Sequence, residues 1–123
     1  SNKVHFWGAQ PQNSVFCLLK SCGIFVLPSR YEASPVVLLE AMAAEKPIIS
    51  TNVGGIVEML RHNRNALLIQ PEQGELIRAM EYLSHNEDLM KVFSKNNRKD
   101  VVSFSWKTIS EKYVNLYESI ANL

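Results

Sequence analysis

The stretch PSRYEASPVVLLEAMAAEKPII, residues 28–49, decides the reading of this chain. It opens as a polar loop, and Ser34-Pro35 then has the form of a helix N-cap followed by proline at the first helical position. An apolar run continues to about Ala44, where Lys46-Pro47 interrupts it, so a helix is expected over residues 35–44 and a strand over 47–51. Two carboxylates stand out against this pattern. Glu32 lies in the loop and Glu40 inside an almost wholly apolar helix. Helical side chains tilt toward the N-terminus, so Glu40 points back toward the loop that carries Glu32, and both can address one ligand. The helix start itself offers unpaired N–H groups and a partial positive charge that suit a phosphate, with small Ala33 and Ser34 allowing close approach. Each carboxylate also has an ordinary reading, because charged side chains are mostly exposed: Glu32 as a solvated loop residue, Glu40 at the edge of a buried helix.

Working outward, short apolar runs alternate with helical patterns. Residues 4–7 (VHFW) read as a strand, followed by a turn holding Gly8, Pro11 and Asn13. Residues 14–21 carry apolar groups at helical spacing, Gly23 stops that helix, and residues 24–27 (IFVL) form a continuous apolar run, the mark of a strand buried on both faces. Downstream, Asn52-Val53-Gly54-Gly55 reads as a loop before a short helix at residues 57–60, and residues 66–69 as another strand. Helices are expected over 75–83, 87–102 and 106–120; in the last, Trp106, Ile109, Tyr113, Leu116 and Ile120 recur at spacings of three and four behind Ser105 as N-cap. About four strands separated by helices imply an α/β, doubly wound parallel sheet with flanking helices. Ligands of such sheets bind beyond the carboxyl ends of the strands, which places the loops after Leu27, Thr51 and Ile69 on one functional rim.

Bulk properties narrow the function. A chain of 123 residues, 46% hydrophobic and 20% charged, suits one soluble domain. A net charge of +1 gives no general drive toward nucleic acid or anionic lipid, so any phosphate site must be local. Cys17 and Cys22 point to different faces of one helix and read as reduced thiols. His5, His62 and His85 are scattered, so no metal is expected. With no spanning segment and no signal pattern, a cytoplasmic protein is expected.

The segment around Glu32 and Glu40 resembles the Glu-x7-Glu motif of the retaining glycosyltransferases of family 4, whose GT-B fold sets two Rossmann-like domains face to face. The resemblance covers nearly the whole chain. VHFWG is similar to the family's strand before the donor loop, GIFVLPS to the strand and turn leading into the motif, and EAMAAEKPIISTNVGGIVEML to the run through its Gly-Gly loop. NALLIQP then resembles the next strand and SFSWKTISEKYVNLYESI the closing helix. The implied organisation is one N-terminally truncated, Rossmann-like, nucleotide-sugar-binding domain over residues 3–104 with a closing helix over 105–121, the C-terminal half of a GT-B enzyme.

What the resemblance implies transfers position by position. Glu32, the catalytic candidate, meets hydroxyls of the transferred sugar on its donor face, and Glu40 meets the ribose hydroxyls. Backbone N–H groups of Ala33, Ser34, Val36 and Val37 hold the diphosphate, with help from Arg30, while Pro35 has no N–H to give. Gly54 and Gly55 read either as a plain turn or as a backbone that approaches the donor. The implied reaction moves a sugar from a nucleoside diphosphate to an acceptor hydroxyl with retained anomeric configuration and without a metal. It belongs to polysaccharide or cell-envelope assembly, in the cytoplasm or at the inner face of the membrane, where the full-length enzyme could associate peripherally.

Departures from the family pattern are Gly23 for Asp, Glu45 for Gly and Ala66 for Gly; the last two matter if their turns need positive φ. The family's upstream Arg and Lys and its N-terminal acceptor domain fall outside this sequence. The chain by itself is therefore expected to have no transferase activity and at most weak donor affinity. It is also expected to self-associate through uncovered apolar groups such as Phe6, Trp7 or Tyr117. Two other classes stay open: a GT-B nucleotide-sugar epimerase, separable by product analysis, and a non-enzymatic, receiver-like α/β binding module, which should place an acidic cluster and a Lys at its strand ends, where this sequence has no Asp.

Overall fold

The computed structural model describes residues 3–31 and 36–104, together with Val114, Glu118 and Ala121. The chain runs through helix α1 (Gln12–Ser21), strand β1 (Phe25–Leu27), helix α2 (Val36–Ala43), strand β2 (Ile48–Thr51), a 3-10 helix (Gly54–Glu58) and strand β3 (Ala66–Ile69). Helices α3 (Gln73–Ser84) and α4 (Glu87–Asp100) and a closing 3-10 turn (Val101–Phe104) complete it.

The three strands form one parallel sheet in the order β1-β2-β3, with Leu27 opposite Ser50 and Thr51 opposite Ile69. Alternation along each strand feeds two cores. Ile48 and Ala66 point to the side of α1 and α2, where Leu19, Leu38, Ala41, Met42 and Ile56 pack. Ile49 and Leu67 point to the side of α3 and α4, against Ala79, Leu83 and Phe93. Helices thus cover both faces, which is the doubly wound α/β arrangement that the strand-helix rhythm implies.

Several expectations change. The sheet has three described strands rather than about four, because residues 4–7 are irregular and largely exposed, with Phe6 96% accessible. An apolar run becomes a strand only beside a pairing partner, and none lies beside this one among the described residues. Strand β2 is buried throughout, whereas β1 is only half-buried, because described strands flank β2 on both sides and β1 on one. The loop and helix expected over 52–60 merge into the 3-10 helix that starts at Gly54 itself. Of the closing helix expected over 106–120 only Val114 and Glu118 are described, both helical, and the N-cap Ser34-Pro35 lies outside the described residues.

The two doubtful turns resolve differently. Glu45 does adopt a left-handed conformation, φ 60°, while the turn before β3 places its left-handed residue at Asn63, φ 65°, and leaves Ala66 in ordinary strand geometry. Asn tolerates that conformation because its short amide can bond locally. At the end of α2, the Lys46 N–H donates to the Ala41 carbonyl (3.1 Å) and the Glu45 N–H to that of Met42 (3.0 Å). This pair of bonds is a Schellman cap, with Glu45 where glycine is the usual choice.

Candidate functional site

The parallel sheet has two unlike rims. At its amino end, α4 stitches the strand entries together. Asn97, fully buried, donates to the carbonyls of Lys46 (2.8 Å) and Asn65 (2.9 Å), which lead into β2 and β3. Asn65 donates to Asp100 (3.1 Å) and accepts from the Arg61 N–H (2.8 Å), and Asn96 donates to the Arg64 carbonyl. Arg64 closes the cluster with two bonds to Asp100, at 2.7 and 3.0 Å. That fork-on-fork contact holds the Asp100 carboxyl below its ordinary value, against partial burial that pushes it up; the Arg64 charge, Asn65 and Arg61 add to the lowering. The Lys46 ammonium reaches back to the last carbonyls of α1, at Lys20 and Cys22 (2.8 Å each), where a cation suits the helix end.

The carboxyl rim is built otherwise. The loop after β1 is tied to β2 through the Thr51 hydroxyl, the Asn52 N–H donates to the Ile69 carbonyl (2.8 Å), and the Glu75 carboxylate accepts from the Gln70 N–H (2.7 Å). These ties gather the loops after β1 and β3 and the end of β2 around a hollow of about 190 Å³ bordered by Pro28, Arg30, Thr51, Ile69, Gln70 and Pro71, with the start of α3 behind them. A hollow of about 580 Å³ lies at the opposite, amino rim, between α4 and the turns at Cys22-Gly23 and Glu45-Lys46-Pro47. Size does not make it the better candidate. Backbone groups of that rim are engaged by Asn97 and Lys46, and helix amino ends that follow strands directly address the carboxyl rim.

Arg30 is thus placed on the carboxyl rim, as its loop position implied. Val36 and Val37 are the first two described residues of α2, so their N–H groups belong to the unpaired set of a helix start. Val37 also borders a separate apolar hollow with Trp7, Val15, Leu18 and Phe25, so it and Arg30 open on different hollows. Glu40 sits one turn into α2, half-buried, with no side-chain hydrogen bond or ion pair among the described residues. Gly54, φ 54°, and Gly55 follow β2 and begin the 3-10 helix, so their backbone is a helix start at the rim instead of an open loop. Glu32, Ala33 and Ser34 lie outside the described residues. Sequence reasoning missed Thr51 and the Asn97 cluster. Asn97 carried a usable signal, because it follows Met90 and Phe93 at helical spacing on the inward face of α4, where a polar residue needs partners.

Comparison with known proteins agrees with this architecture. Residues 1–100 match the family described as glycosyl transferases group 1, and the chain belongs to that family. It is 31% identical over 121 residues to the N,N'-diacetylbacillosaminyl-diphospho-undecaprenol alpha-1,3-N-acetylgalactosaminyltransferase of Campylobacter jejuni, covering 98% of this chain and 32% of that protein. Among solved structures, the sucrose-phosphate synthase of Thermosynechococcus elongatus superposes with a TM-score of 0.88 at 26% identity, over 99% of this chain and 31% of that one. HepE of Anabaena in complex with UDP-glucose superposes at 0.83 with 22% identity, over 100% of this chain and 33% of that one, a likeness of fold. The chain spans about a third or less of the length of the curated relatives it matches, 30–34% in three of them.

Proposed function

We propose that this chain is the donor-binding part of a retaining glycosyltransferase, in which it presents a nucleoside-diphosphate sugar to an acceptor hydroxyl held by another part of the full-length enzyme. The observation that carries the reading is Glu40, a half-buried carboxylate with no partner among the described residues, one turn inside an apolar helix. Its oxygens are left open to accept from a ligand hydroxyl pair. Family membership and the UDP-glucose complex of the HepE neighbour support a nucleotide sugar as that ligand.

In this scheme the diphosphate lies at the start of α2, where the N–H groups of Val36 and Val37, with those of Ala33 and Ser34, meet its oxygens. Arg30 adds charge from the rim, and Gly54-Gly55 allow the donor to approach the end of β2. Glu40 accepts from the ribose hydroxyls and Glu32 from hydroxyls of the transferred sugar. As the glycosidic bond breaks, negative charge grows on the departing phosphate, where these fixed donors are aimed. They supply the positive potential that a cation provides elsewhere, so the scheme needs no metal. The chain by itself, without the rest of the enzyme, turns over no donor. A lipid-linked acceptor such as the one in the Campylobacter relative's name would place the reaction at the cytoplasmic face of a membrane.

The test is turnover of the full-length enzyme against a panel of nucleotide sugars, with Glu32→Ala and Glu40→Ala variants of confirmed fold. Each substitution is expected to lower kcat/KM about a hundredfold or more, the scale on which single transition-state contacts act. Turnover within a few-fold of the parent in both variants would remove the site assignment.

A further inference from the structure

Strand β2 ends on Thr51, a hydroxyl residue that is only 1% exposed in the middle of the sheet. A buried hydroxyl needs a partner, and this one finds it across the gap to the neighbouring strand. Oγ1 donates to the carbonyl of Ser29, with the Leu27 carbonyl as a distant second acceptor at 3.5 Å.

The register explains why the bond falls there. The Phe25 N–H donates to the Pro47 carbonyl, so odd-numbered residues of β1 turn their backbone groups toward β2. Pro28 falls in the outward phase, where the lack of an N–H costs the pairing nothing. Ser29 is the next residue in the inward phase, but regular pairing has already ended at Leu27 opposite Ser50. On the β2 side, the Asn52 N–H lies in the phase that faces β3 and continues that ladder to the Ile69 carbonyl, while Val53, next in the phase that faces β1, makes no backbone bond to Ser29. A side-chain hydroxyl therefore stands where a main-chain donor would continue the ladder.

We infer that Thr51 is a positioning residue for the donor loop. Its bond fixes the first residues beyond β1, and with them the point from which Arg30 and the segment leading to α2 leave the sheet. Thr51 and Arg30 border the same rim hollow, so a loop released from Thr51 shifts the guanidinium that faces the donor. The inference rests on the donor-site reading above, and small displacements of positioning groups are expensive in rate because reacting atoms must meet within a fraction of an ångström.

The experiment uses the full-length enzyme with Thr51→Val, which keeps the shape and removes the hydroxyl, and Thr51→Ser, which restores it; Thr51→Ala replaces the valine variant if that one fails to fold. Amide hydrogen exchange is followed without donor, and steady-state kinetics with it. Loss of the hydroxyl is expected to speed exchange in residues 29–31 about tenfold while leaving β3 and α4 unchanged. It is also expected to lower kcat about tenfold at unchanged acceptor KM, with Thr51→Ser within about threefold of the parent on both readouts. Unchanged exchange in residues 29–31 overturns the inference, as does faster exchange with kcat intact, or a serine variant as impaired as the valine one. The exchange readout needs no donor, so retained turnover in Glu40→Ala would sink the donor site while leaving the tether itself to be judged separately.

Discussion

Glu45 shows how much one backbone position can carry. Its φ of 60° brings its Cβ close to its own backbone, a conformation that costs an L-residue about 1–2 kcal/mol relative to glycine. The cap it completes is nevertheless formed, since the Lys46 and Glu45 N–H groups find the last carbonyls of α2. Its ion pair with Arg98, at 3.8 Å between exposed side chains, returns little. Glu45→Gly should therefore stabilise the domain by about 1 kcal/mol, measured as a higher denaturation midpoint at unchanged slope. An unchanged or lower midpoint would mean that the side chain has a compensating contact. At this scale the sequence was partly legible. The departure at Glu45 marked a turn under strain, whereas Ala66 marked nothing, because the neighbouring turn had shifted its left-handed residue to Asn63. Thr51 carried no signal at all, since a threonine at a strand end is ordinary until the loop opposite is seen.

Among the elements, α4 has the clearest division of labour. Asn86 caps its start by accepting from the Leu89 N–H (3.2 Å), and Glu87 and Asp88 in the first turn with Arg98 and Lys99 in the last complement its dipole. Its inner face gives Phe93 to the core and Asn97 and Asp100 to the strand entries. Because the Arg64 bonds hold Asp100 below its ordinary value when folded, its contribution is fully present above the unfolded carboxyl range. That contribution is lost as pH falls through the lowered folded value. Asp100→Asn should accordingly lower stability at neutral pH and flatten the loss of stability in acid below about pH 4, read by denaturant titration across pH. Parallel curves for the two proteins would contradict this. The helices were legible because their apolar spacing is long enough to be distinctive. Residues 4–7 misled for the opposite reason, because four apolar residues signal a strand only if a neighbour pairs with them.

In the molecule as a whole, the division between rims organises everything else. The amino rim is closed by side chains from α4, and the carboxyl rim gathers the loop after β1, the 3-10 helix start and the loop after β3. That polarity follows from a parallel sheet, which brings every strand end of one kind to the same side, and it is why the carboxyl rim could be named as the candidate ligand rim before any coordinates. The partners of Glu40 could not be named from periodicity, because a charge on an apolar helix fits a solvated edge as well as a ligand site. A crystal structure of the full-length enzyme with a nucleotide sugar should show the diphosphate at the backbone N–H groups of Val36 and Val37, and a Glu40 carboxylate oxygen about 2.6–3.0 Å from a ribose hydroxyl. Donor density in the hollow between α4 and Lys46 at the other rim, with Glu40 still unpartnered, would contradict it.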